Sequence, residues 1–125
     1  MLKQALVINK DLEMGKGKIG VQTGHGCTEY TDYVLNHKDS DMYKRYLEWR
    51  CEGMNNRKMM KKAVTKASEE EIKALMVTLS NLNIWHWDVQ DFGLTQVSPM
   101  SLTCLVVEPL EEEQYQKLFG HLKLL

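Results

Sequence analysis

The stretch Gly15–Glu29, GKGKIGVQTGHGCTE, decides how this chain is laid out, because it crowds lysines, a glutamine, a histidine and glycines around one strand-to-helix junction. Upstream, Gln4–Ile8 (QALVI) is short, apolar and β-branched, the composition of a strand buried on both faces. Downstream of Gly17 the spacing turns helical, and Ile19, Tyr30, Tyr33 and Val34 share an apolar stripe with Cys27. On another face Lys18, Gln22, His25 and Glu29 fall at i, i+4, i+7 and i+11, stacking four polar groups along one helix line. Gly24 and Gly26 lie inside that helix, where each glycine costs about 1 kcal/mol against alanine. Such a cost points to close approach by another element or a ligand; the plain alternative is a solvated face with incidental glycines. Gly15, Gly17 and Gly20 match G-x-G-x-x-G, but the next strand comes too late for a dinucleotide-binding βαβ unit. The Gly-Lys pairs lack the spacing and the Ser or Thr of a phosphate loop.

The rest of the composition bounds the class. With 125 residues the chain fits one domain, residues 1–125, with a core that needs no disulfide. Cys27, Cys51 and Cys104 are odd in number and form no C-x-x-C pair, so reduced thiols and no zinc knuckle are expected. There is no charged-then-apolar leader and no run of 18 apolar residues, which reads as a cytoplasmic protein without a membrane partner. Net charge is −1, but residues 1–66 hold 13 Lys+Arg against 8 acids and residues 67–125 hold 3 against 9, so the halves carry +5 and −6. The cluster Arg57, Lys58, Lys61, Lys62 and Lys66 either joins Lys16 and Lys18 on one side for a polyanion or guards a sheet edge.

Along the chain, the first helix runs to about Leu35, and Met42–Cys51 reads as a second, ended by Gly53. Arg57–Val64 is expected as a strand. Ser68 and Glu71 spell a capping box, followed by Ile72, Leu75, Met76, Leu79 and Leu82 on one helix face. Ile84–Val89 and Leu102–Val107 are strands joined without a helix and therefore antiparallel. Pro109 and Glu111–Glu113 open a last helix, and the tail Gly120–Leu125 is apolar enough to pack. The expectation is an α/β fold, a three-layer α/β/α sandwich with a mixed sheet of about four strands and helices on both faces. Leu6–Ile8 and Leu105–Val107, apolar throughout, belong at its centre.

Four segments in order resemble one family. Leu6–Gly26 (LVINKDLEMGKGKIGVQTGHG) is similar to the opening of the archaeal and eukaryotic type of peptidyl-tRNA hydrolase, peptidyl-tRNA hydrolase II. Trp49–Gly53 with Arg57–Val64 resembles its Trp, glycine turn and basic strand, Asp91–Pro109 (DFGLTQVSPMSLTCLVVEP) its strand-loop-strand, and Gly120–Leu125 its C-terminus. The resemblance implies metal-independent hydrolysis of the ester between a peptide and the 3′ ribose of tRNA, with no cofactor, and suggests a homodimer. Its implicated polar residues fall on Lys16, Lys18, Gln22, His25, Asp91 and Thr95, with Gln96, Ser101 and Thr103 nearby. The pattern favours Ala at Phe92, a basic residue at Leu94 and Gly at Met100, so this chain departs there.

Ester hydrolysis needs a positioned water, a proton acceptor and donors for the oxyanion. Asp91 and His25 are the candidates for base or water orienter. Lys18 suits the oxyanion or the terminal phosphate and Lys16 the next phosphate, while Gln22 and Thr95 suit orientation of water or the ester carbonyl. Structural alternatives stand beside each: Asp91 as a turn cap, Thr95 as a turn hydroxyl, His25 as an interior histidine. A non-catalytic adaptor that binds tRNA or protein on the same fold is the other functional class.

Overall fold

The computed structural model describes residues 1–51, 59–92 and 100–125. Strand β1, Leu2–Asn9, sends Ala5 and Val7 into one apolar cluster and Leu6 and Ile8 into another, so its alternation defines two sheet faces. A 3-10 turn at Lys10–Leu12 leads to α1, Lys16–Leu35, and then α2, Asp41–Cys51. β2, Lys62–Ala67, lies parallel to β1 with Gln4 opposite Lys62 and Asn9 opposite Ala67. α3, Glu69–Asn81, precedes the antiparallel pair β3, His86–Asp91, and β4, Ser101–Val107. The chain ends with β5, Leu110–Glu111, α4, Glu112–Phe119, and β6, Lys123–Leu124.

The sheet order is β3-β4-β1-β2-β6, with β5 paired to β1. β1 and β4 are interior strands, as their unbroken apolar runs require, and the four long strands are the four expected. β5 and β6 are two residues each, too short to leave a pattern. Ile19 and Cys27 of α1 pack on Leu6, Ile8, Val89, Cys104 and Val106. On the opposite face Ile72 and Leu79 of α3 and Tyr115 and Phe119 of α4 meet Ala5, Val7, Leu105 and Val107. This is the expected three-layer arrangement. Among the described residues, no helix is long and apolar enough to cross a membrane.

Some boundaries differ from expectation. The strand anticipated over 57–64 starts at Lys62 and runs to Ala67, because its register is set by parallel pairing to β1 and its end by the cap at Ser68. Arg57, Lys58 and Gly53 lie outside the described residues. The basic cluster divides: Lys62 and Lys66 share the face of Val64 towards α1, with the Lys62 ammonium 4.9 Å from the Trp49 ring. Lys61 instead reaches Glu112 of α4 at 3.7 Å. Leu82 follows α3 as its cap and is exposed rather than part of the apolar face. The tail packs as expected through Leu122, which lies against the core, and β6 pairs with Thr65 and Lys66, while the side chains of Leu124 and Leu125 remain exposed.

Candidate active site

The buried row of α1 is Lys18, Gln22, Gly26, Tyr30 and Val34, each four residues from the last. Rows at that spacing run oblique to a helix axis, so a helix crossing a twisted sheet buries them in preference to the straighter i+7 line. The expected line therefore splits: Lys18 and Gln22 are buried, whereas His25 and Glu29 are exposed. Tyr33, placed in the apolar stripe, is likewise exposed. Gly26 is where α1 comes down on the sheet, since a Cβ there would lie 2.2 Å from Cγ2 of Val106. At Gly24 a Cβ would meet nothing within 4 Å among the described residues, so the close approach of another element is seen at Gly26 alone.

This seating carries Lys18 to the end of β3, where its ammonium pairs with the carboxylate of Asp91, and each side chain keeps only 6% of its accessible surface. Burying two charges together gains little net stability after desolvation. One turn along, Oε1 of Gln22 lies 3.0 Å from the Thr103 hydroxyl, which is fully buried and also 2.9 Å from the Val89 carbonyl oxygen. The hydroxyl has one proton; when it is donated to Val89, the Gln22 amide must turn its NH₂ towards the Thr103 oxygen. A β-bulge at Val89/Gln90 interrupts the ladder just before Asp91, the kind of irregularity that re-aims a side chain beside a site. Ser101 stands opposite Asp91 in register and is half-buried, and Lys16 is exposed in the first turn of α1. Thr95 and Gln96 lie outside the described residues.

Neither the half-buried Cys27 thiol nor the buried Cys104 thiol is set up as a nucleophile. Burial pushes the Cys27 thiol up, with the Lys62 ammonium opposing it in part, and burial raises Cys104 to about 12. Asn9 is the residue that sequence reasoning passed over. Its amide NH₂ donates to the Leu102 carbonyl at 2.8 Å and to Glu69 at 3.3 Å, and its side-chain oxygen accepts from the Asp11 N–H at 3.0 Å. It thereby clips the end of β1 to the start of β4, next to Ser101. Its signal was the Asx turn of Asn9-Lys10-Asp11, legible locally but silent about the strand it would hold.

The family model for Peptidyl-tRNA hydrolase PTH2 matches residues 2–125. The chain belongs to this family. A peptidyl-tRNA hydrolase of Thermococcus onnurineus is 38% identical over 123 residues, 98% of this chain and 96% of the relative. That of Sulfurisphaera tokodaii is 34% identical over 124 residues, 98% of each, and that of Thermoplasma acidophilum 35% over 125 residues, 98% of this chain and 97% of the relative. In this PTH2-family chain, Met100 takes up left-handed backbone with φ 64°, where the family pattern favours glycine. Phe92, next to Asp91, is 78% exposed and leaves the buried pair undisturbed.

Proposed function

We propose that this chain hydrolyses the ester joining a peptide to the 3′ ribose of tRNA, with Asp91 and Lys18 at the chemical centre. The single observation that carries the reading is their buried ion pair at the junction of α1 and β3. An ionised carboxylate accepts hydrogen bonds only, which suits it to orient a water and take its proton. The water oxygen attacks the ester carbonyl carbon, its proton passes to Asp91, and the Lys18 ammonium faces the developing oxyanion. Collapse breaks the bond to the 3′ oxygen, which takes the proton and leaves as the tRNA hydroxyl, while the peptide leaves as its acid. Gln22, steadied by Thr103, orients the carbonyl or the water, with Thr95 in a similar role. Lys16 contacts a phosphate, Gln96 and Ser101 contribute to substrate binding, and His25 is the reserve base. We place the protein in the cytoplasm, where translation supplies peptidyl-tRNA, and as a homodimer on the family resemblance alone.

The test is single-turnover hydrolysis of a purified peptidyl-tRNA with EDTA present. Hydrolysis is expected to persist, and Asp91→Asn to lower it by about a hundredfold or more, as for general acid–base groups, with tRNA binding within a few-fold. Thr95→Val should lose less, since it removes one hydroxyl. The adaptor reading predicts no hydrolysis by the unmutated protein, and near-full turnover in Asp91→Asn would move the base to His25.

A further inference from the structure

We propose that the open edge of β3 binds the peptide half of the substrate as an added parallel strand, reading its backbone and not its sequence. This rests on the hydrolase reading above. β3 is the terminal strand of the sheet, and among the described residues no strand pairs with its outer side. The N–H of Glu108 donates to the Trp85 carbonyl at 3.0 Å. Bonding alternates along an antiparallel ladder, so Trp87 and Val89 also turn their backbone groups to β4, and His86 and Asp88 turn theirs outward. That row of donors and acceptors, unpaired among the described residues, ends at the bulge and then at Asp91, the residue assigned to the reaction.

The edge carries an acid at Asp88 and the bulge at Val89/Gln90, but among the described residues no strand covers it. Strands that must stay unpaired usually carry lysine or proline, and β3 has neither. It shows Trp87 instead, 43% exposed and stacked on Trp85 at 6.4 Å with 13° between the rings. An aromatic flank beside unpaired backbone is the equipment of strand addition, in which main-chain hydrogen bonds supply affinity. The substrate's own chemistry selects the occupant. Peptidyl-tRNAs share a peptide backbone and differ in side chains, so a general hydrolase gains from gripping what they share. Holding the ester at Asp91 fixes the C-terminal end of the peptide there, and the way back along β3 makes the two chains parallel. At about 3.3 Å per residue, the peptide meets Asp88 about three residues from the ester and His86 about five.

The experiment compares tRNAs carrying one-, three-, five- and seven-residue N-acetylated peptides with the same C-terminal residue. kcat/KM should rise about fivefold for each backbone hydrogen bond gained, through KM, and level off beyond about five residues. N-methylation of the peptide residue whose N–H faces β3 should erase one such step, and methylation of its neighbour should not. Asp88→Pro, which removes an outward N–H and spares the β4 ladder, should weaken the five-residue substrate about fivefold more than the one-residue substrate. Equal kcat/KM at every length, or a length effect indifferent to N-methylation at every position, would overturn strand addition while leaving the hydrolase reading intact. A length effect lost only in Trp87→Ala would mean stacking instead, and also overturns it. Failure of the substrates of every length to turn over would defeat the hydrolase reading itself, and strand addition with it.

Discussion

Gly24 and Gly26 stand two residues apart on α1 and predict opposite outcomes. An alanine at 26 must push against Val106, overpacking that costs about 1–3 kcal/mol and displaces Lys18 and Gln22 from their partners. Gly26→Ala should therefore lower both the urea midpoint and turnover. Gly24→Ala meets no neighbour among the described residues and should gain up to about 1 kcal/mol of helix propensity with activity retained. Met100 is the mirror case. Its φ of 64° is unfavourable for a side chain, so Met100→Gly should raise the midpoint by up to about 1 kcal/mol. The strain at Met100 was legible because the family pattern wants glycine there. At Gly26 the need for room was legible, but its partner, eighty residues away in sequence, was not.

At the scale of elements, α3 shows what local sequence can specify. The Ser68 hydroxyl accepts from the Glu71 N–H at 3.1 Å, and the Glu71 carboxylate accepts from the Ser68 N–H at 3.1 Å, closing the capping box read from two residues. Those bonds, that from the Ser68 backbone first, hold the Glu71 carboxyl below its usual range. A lowered folded pKa means stability that is present above the unfolded glutamate value and lost as pH falls through the folded one. Ser68→Ala should cost about 1 kcal/mol near neutrality, and the deficit should shrink in that acid window when melting is followed against pH. The site was less legible than the cap. The spacing of Lys18 and Gln22 put them on one line, but which line a helix buries depends on how it crosses the sheet, and that is fixed by Val89, Val106 and Gly26 together. β2 slipped for the same reason: pairing to β1 outweighed a run without clear period.

Across the whole molecule, the uneven charge noted in the sequence acquires a direction. Lys62 and Lys66 face the α1 side of the sheet, where Lys16 opens the helix, whereas Lys61 turns to Glu112 on the other. If the tRNA lies along the α1 side, the salt dependence of binding should lose about one unit of slope for each of Lys16→Ala, Lys62→Ala and Lys66→Ala, and keep it in Lys61→Ala. Equal slopes in all four variants would place the tRNA elsewhere. The strand order has a consequence of another kind, for biosynthesis. β4 lies between β3 and β1, yet it begins at Ser101, in the last fifth of the chain. Until those residues leave the ribosome, β1 and β3 each present a bare backbone edge with nothing between them, a state open to wrong partners. A protein of the peptidyl-tRNA hydrolase family thus cannot close its own core until β4, the last of its four long strands, has been made.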